Sequence, residues 1–251
     1  ITLAAAPAND LCAGAEVIPT TLPVKTALIS DITDATTTGD PGTPSCQATV
    51  SRSVWYAFTP AATGIYKIAT CADQGTGTTV DDTVLAVYTS TAGCLGPFTQ
   101  VAGACDDDSC GQETLQSTLS LQLTSGTTYY VVVWKFQTTA PTPGNTALQL
   151  AVSQVFPPAN DTCGGAVPLA MNRVTTGTSE GALDDLQLQD AGFACFGGVG
   201  QSPVNLLGHD VVYSFTAPAA GNYAFQLRSL EGPDNPVLAL SSTCPAGAGA
   251  Q

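Results

Sequence analysis

The hexapeptide Pro7-Ala8-Asn9-Asp10-Leu11-Cys12 returns as Pro158-Ala159-Asn160-Asp161-Thr162-Cys163, identical at five of six positions and displaced by 151 residues. Self-similarity at long spacing marks a duplicated unit, and it governs every later reading of the chain. Other landmarks recur in the same order. Val54-Trp55-Tyr56-Ala57-Phe58-Thr59-Pro60 is echoed by Val211-Val212-Tyr213-Ser214-Phe215-Thr216-Ala217-Pro218, and Asp81-Asp82-Thr83-Val84-Leu85 by Asp234-Asn235-Pro236-Val237-Leu238. Cys46 and Cys94 find counterparts in Cys195 and Cys244. The expected domains are therefore 1–157, with 1–6 as an N-terminal lead, and 158–251.

The second unit is expected to be incomplete. Unit one runs on from Leu95 to Phe156, whereas unit two has only Pro245 to Gln251 after Cys244. A β-sandwich short of that many residues leaves sheet edges open, so the expected partners are the remainder of the same chain or other copies of it that donate strands.

The local pattern is that of strands. Val24–Ile32, Ser53–Thr59, Gly64–Cys71, Thr83–Tyr88, Leu115–Leu123, Thr127–Phe136 and Thr146–Val155 are rich in β-branched or aromatic residues or alternate at period two, and Gly-, Thr- and Pro-rich turns separate them. Helical periodicity extends nowhere over ten residues. The fold class read from this is all-β: two tandem jelly-roll-like β-sandwich domains.

Charge excludes some functions. Twenty acids against six bases give a net charge of −14, which repels nucleic acid and anionic lipid alike. No run of 18 apolar residues occurs to span a membrane. Nine cysteines with a single Met point to an oxidising compartment. The chain starts at Ile1 rather than Met, as after removal of a signal peptide. The expected location is secreted, extracellular or at a bacterial cell surface.

Six cysteines in unit one allow 15 pairings. Because Cys12 and Cys46 recur together, the expected bonds are Cys12–Cys46 and Cys163–Cys195, then Cys94–Cys105 and Cys71–Cys110, leaving Cys244 unpaired. Zinc is disfavoured, since there is no CxxC pair and His209 is the single histidine. The acidic run Asp106-Asp107-Asp108 lies between Cys105 and Cys110, near Glu113. A Cys71–Cys110 bond would draw it towards Asp73, Asp81 and Asp82, and repulsion among these six carboxylates would be relieved by Ca²⁺, which takes six to eight oxygen ligands. No cofactor is otherwise required.

Catalytic signatures are missing from the sequence. It contains no Gly-x-Ser-x-Gly, His-Glu-x-x-His or Gly-x-Gly-x-x-Gly, and His209-Asp210 aligns with Arg52-Ser53 at a strand entrance, a surface position. Trp55, Tyr56, Tyr129, Tyr130 and Trp134 would form a carbohydrate platform if exposed, although aromatic residues in such strands belong more often to a core. Asn160-Asp161-Thr162 has the form of a glycosylation sequon but is part of the repeat, and Thr36-Thr37-Thr38 would suit O-glycans.

Taken in order, Pro-Ala-Asn-Asp-x-Cys, Val-Trp-Tyr-x-Phe-Thr-Pro, Asp-Thr-Val-Leu-Ala-Val-Tyr, Cys-Asp-Asp-Asp-x-Cys and Gly-Thr-Thr-Tyr-Tyr-Val-Val-Val resemble bacterial pre-peptidase C-terminal domains, over Pro7–Val155 and again from Pro158. The resemblance implies a jelly-roll-like sandwich in secreted or surface proteins, beside catalytic domains or in long non-enzymatic chains, some binding calcium or polymers. The second copy departs from it, with Val212 in place of Trp55 and no counterpart of Cys71. The function expected is a non-catalytic structural or adhesive repeat, a subunit of an extracellular filament. The alternative is an accessory substrate- or carbohydrate-binding domain of a secreted hydrolase.

Overall fold

The computed structural model describes residues 5–110, 115–182, 210–230 and 236–244. The chain divides into two compact units, Ile1–Val155 and Phe156–Gln251. Among the described residues there are strands, bridges and three 3₁₀ turns but no α-helix.

Unit one is a sandwich of two sheets. Its strands are β1 (Glu16–Ile18), β2 (Val24–Lys25), β3 (Val50–Phe58), β4 (Gly64–Ala69), β5 (Thr83–Ser90), β6 (Phe98–Asp106), β7 (Thr118–Leu123), β8 (Tyr129–Phe136) and β9 (Ala151–Val155). One sheet has the order β1-β3-β8-β5-β6, the other β2-β9-β4-β7. Every pairing is antiparallel except β1 with β3, where Glu16 faces Tyr56 and Ile18 faces Phe58.

Alternation explains the core. Val54, Tyr56, Phe58, Leu85, Val87, Val131 and Val133 turn inward from the five-stranded sheet and meet Tyr66, Ile68, Leu119, Leu121, Leu123 and Val152 from the other. The intervening residues of the same strands are buried as well. Trp55, Val84, Ala86, Tyr88, Tyr130, Val132 and Trp134 form a second apolar cluster with Cys12 on the outer face. That sheet is thus covered on both sides, which accounts for the unbroken apolar run Tyr130–Trp134. The N-terminal turn and the loop between residues 33 and 49 form the outer cover.

Three strands, β2, β7 and β9, are at least three residues shorter than their patterns predict. After Lys25 the chain stays beside Thr146–Leu150 without a regular ladder, because the Thr26 hydroxyl takes the Leu150 N–H (3.0 Å) and the contact continues as a single bridge, Ile29 with Leu148. Leu115 precedes β7, where Gln116 and Ser117 turn their side chains into buried hydrogen bonds. The edge strands β1 and β6 were not expected.

The repeated hexapeptide makes one local structure twice. Asp10 N–H donates to the Pro7 carbonyl at 3.0 Å, and Asp161 N–H to Pro158 likewise at 3.0 Å. A 3₁₀ turn follows in each copy, Cys12–Gly14 and Cys163–Gly165. Both turns end on glycine, because a Cβ on Gly14 or Gly165 would collide with the carbonyl oxygen of Ala8 or Ala159. In unit two β10 (Val167–Pro168) runs parallel to β11 (Tyr213–Ser214), the arrangement β1 makes with β3. The Tyr66 hydroxyl donates to the Ala62 carbonyl (2.7 Å) and the Tyr223 hydroxyl to Ala219 (2.6 Å). Each tyrosine also meets a phenylalanine edge to face, Phe58 at 5.3 Å and Phe215 at 5.2 Å.

The disulfides correct the expected pairing. They are Cys12–Cys94, Cys46–Cys105, Cys71–Cys110 and Cys163–Cys244. A Cys94–Cys105 bond is geometrically excluded. Cys94 sits in the β5–β6 connection, Cys105 lies opposite Ala86 near the far end of β6, and a strand of that length separates them by about 20 Å, against a limit near 7 Å between Cα atoms. Cys12 reaches the near end of β6 and Cys46 the far end, so Cys12–Cys46 fails for the same reason. Cys244 is bonded rather than free, and Cys195 lies outside the described residues. The repeat carried this answer too, since Cys12 and Cys94 recur together as Cys163 and Cys244.

Candidate metal centre

β6 ends at Asp106, whose carboxylate is consumed locally. It accepts the Ser109 N–H (3.2 Å), the Ser109 hydroxyl (2.5 Å) and the Thr118 N–H (2.8 Å), the side-chain-to-backbone turn that aspartate favours. This turn carries Asp107 and Asp108 back towards Asp82, which stands at the entrance to β5. Asp82, Asp107 and Asp108 each offer a carboxylate oxygen within 4.8 Å of the others.

The surrounding frame is covalent and hydrogen-bonded. Cys71–Cys110 closes the loop from below, with both sulfurs buried. Gln116, 3 % exposed, receives the Ala72 N–H (2.6 Å) and donates to the Val80 carbonyl (2.8 Å), while the Cys110 N–H donates to the Gln116 carbonyl at 2.9 Å. Beside it, Thr70, Thr83 and Ser117 form a buried hydroxyl cluster, Thr70 to Thr83 at 2.8 Å and Thr83 to Ser117 at 3.1 Å. From the loop before β3, Gln47 Nε2 donates to Asp107 Oδ2 at 2.7 Å.

The opposite oxygens are left without protein donors. Asp82 Oδ1 and Asp107 Oδ1 are buried and have no hydrogen-bond partner among the described residues, a costly state for a carboxylate. Burial, with the charges of Asp107 and Asp108, pushes the Asp82 carboxyl up to about 6 against the opposing pull of Lys135. Burial and the neighbouring Asp107 and Asp106 raise Asp108 as well. Two oxygens that lack donors and carboxyls that resist ionisation describe a place that a cation would relieve. The donor set is oxygen alone, which fits Ca²⁺ or Mg²⁺ and not a thiolate- or imidazole-seeking metal.

Three of the six expected ligands stand apart. Asp106 is occupied by its own turn. Asp81 accepts Asn145 Nδ2 at 2.6 Å, and Asp73 is exposed on its loop and outside the cluster. Glu113 and His209 lie outside the described residues. The aromatic residues belong to the core, as such residues in strands more often do: Trp55, Tyr56 and Trp134 are fully buried, and Tyr129 and Tyr130 are 6 % and 9 % exposed. Their neighbours are other rings, such as Phe98 at 5.1 Å from Trp55 and Tyr88 at 6.3 Å from Trp134.

Sequence reasoning missed Gln47 and Gln116, since a lone glutamine in a loop carries no pattern. It also missed Asp40, whose carboxylate accepts both tryptophan N–H groups, from Trp55 at 3.2 Å and Trp134 at 2.6 Å.

Residues 8–83 match a T9SS-associated family model described as galactose binding domain-like. No curated protein matches the chain. Among solved structures, the chain is similar to the pre-peptidase C-terminal domain of a collagenase from Bacillus anthracis, at 12 % identity and a TM-score of 0.26, covering 55 % of this chain and 92 % of that one.

Proposed function

We propose that the chain is a non-catalytic accessory module of a secreted or cell-surface protein, one end of which is braced by a divalent cation, Ca²⁺ in the first instance. The observation that carries this reading is the convergence of Asp82, Asp107 and Asp108 around carboxylate oxygens that no protein donor satisfies. In this reading the cation draws together the start of β5 and the loop after β6, and through Gln47 the loop before β3. The four disulfides and the T9SS-associated match support an exported setting. The match over residues 8–83 to a galactose binding domain-like family makes galactose-containing glycans the first ligands to try, at the loops of the braced end rather than at the buried aromatic face.

Isothermal titration calorimetry of the whole chain with galactose-terminated oligosaccharides, in Ca²⁺ and in EDTA, tests this. Saturable heats that weaken in EDTA support it; no binding to any galactoside in Ca²⁺ rejects the glycan reading.

A second reading, a structural or adhesive repeat that assembles with copies of itself, draws on the local geometry shared by the two units. Concentration-dependent assembly in sedimentation velocity, with no glycan present, would favour it.

A further inference from the structure

Unit two holds the counterparts of β3 and β5 on the same anchors that hold those strands in unit one. Residues 211–215 answer to 54–58, and the Asn160 carbonyl ties them to the N-terminal turn by accepting the Val212 N–H at 2.7 Å. Residues 236–240 answer to 83–87, and the Cys163–Cys244 bond fastens the chain just after them to the same turn, as Cys12–Cys94 does after β5. In unit one these two strands are not neighbours. β8 runs between them, antiparallel to both, so that Val133 faces Val54 on one side and Leu85 on the other. Among the described residues of unit two no strand takes that place. The sheet there is β10 with β11 alone, and no backbone hydrogen bond joins 211–215 to 236–240.

The side chains register the difference. Val84, Leu85 and Val87 of β5 are fully buried, whereas their counterparts Val237, Leu238 and Leu240 are 43 %, 49 % and 56 % exposed. Tyr56 and Phe58 are fully buried, and Tyr213 and Phe215 only partly so. Neither segment completes a strand: ladder pairing covers Tyr213–Ser214 and none of 236–240. Backbone groups left without a ladder are a template for another strand. We propose that unit two takes up an extended strand from another polypeptide, which lies between residues 211–215 and 236–240 and antiparallel to both, as β8 lies between β3 and β5.

Unit one specifies the chemistry of the occupant. Val131 and Val133 of β8 enter the core between the sheets, while Tyr130, Val132 and Trp134 belong to the outer cluster. The flanking residues of unit two are apolar on both faces too: by register Tyr213, Phe215, Leu238 and Leu240 correspond to the inner set, and Val212, Val237 and Ala239 to the outer. The strand that fits is therefore uncharged and apolar at successive positions, rich in β-branched or aromatic residues, over the eight residues of β8. It contains no proline, because it donates N–H groups to a neighbour on each side. The backbone ladder supplies affinity and the side-chain positions supply selectivity, as in strand addition. None of these residues belongs to the acidic cluster, so the inference stands apart from the cation and glycan reading.

Hydrogen–deuterium exchange of the intact chain, with and without a synthetic peptide of the β8 sequence (Tyr129–Phe136) flanked by lysines, tests this. The peptide should bind once per chain and slow exchange in residues 211–215 and 236–240, leaving unit one unchanged. The same peptide carrying Val132→Pro keeps the charge but loses a ladder donor, and it should not bind. In the chain, Leu238→Asp should weaken binding by about tenfold or more, since a carboxylate would have to leave water. Exchange in β3 and β8 of that variant should match the parent, which shows that unit one keeps its fold. No binding of the β8 peptide, binding that the proline variant retains, protection confined to other segments, or slow exchange of both segments in the free chain would each overturn the proposal. Protection that appears in the free chain only as it is concentrated would overturn it in favour of pairing between copies.

Discussion

Asn9 and Trp55 hold each other through two hydrogen bonds. Asn9 Nδ2 donates to the Trp55 carbonyl at 3.0 Å, and the Trp55 N–H donates to the Asn9 carbonyl at 2.8 Å. Asn160 and Val212 repeat the pair in the second unit, at 3.2 Å and 2.7 Å. The shared asparagine thus ties each N-terminal turn to the backbone of the strand that the following segment runs beside, and a different side chain at the partner position does not matter because only its backbone is used. Asn9→Ala removes a donor from a buried carbonyl and should cost about 1–3 kcal/mol, measured as a fall in the denaturation midpoint with unchanged m-value.

Gly14→Ala tests the close approach in the same turn. Its Cβ would enter the space of the Ala8 carbonyl oxygen, so the turn must distort. The expected loss exceeds the gain of about 0.4–1 kcal/mol that alanine brings at an unstrained site by restricting the unfolded chain. A variant as stable as the parent would contradict the packing described for Ala8.

The Cys71–Cys110 bond closes a loop of 39 residues. By the chain-entropy relation its removal as Cys71→Ala with Cys110→Ala should cost about 4 kcal/mol. It should also weaken Ca²⁺ binding, because the acidic loop ends at Cys110. Thermal unfolding with and without Ca²⁺ separates the two effects.

The pH dependence has a definite sign. In the folded chain the Asp82 carboxyl is pushed up to about 6, whereas in the unfolded chain it takes a value of about 3.9. The folded state binds the extra proton between these values, so in EDTA its contribution to stability is full in acid and is lost as pH rises through about 6. Asp82→Asn should flatten that part of the profile in urea unfolding measured from pH 4 to 7.

The all-β class was legible in the sequence because it rests on local signals. Period-two alternation in Leu119, Leu121 and Leu123 and the apolar run Tyr130–Trp134 each declare a strand without reference to the rest of the chain. What failed was long-range. β6 is half exposed and contains Gly103, so it lacks both alternation and density. Cysteine partners depend on which end of β6 each loop reaches, which spacing alone does not encode. Asp81 and Asp82 are adjacent in sequence, yet one faces Asn145 and the other Asp107 and Asp108, a division that only the alternation of a strand entrance sets.

The most direct test of the cation-braced end is calorimetric titration of Ca²⁺ into the metal-stripped chain at neutral pH, beside Asp107→Asn. The account predicts a single saturable site in the parent, a rise in melting temperature on binding, and loss of both in the variant. Absence of binding in the parent, or binding that Asp107→Asn leaves unchanged, would contradict it.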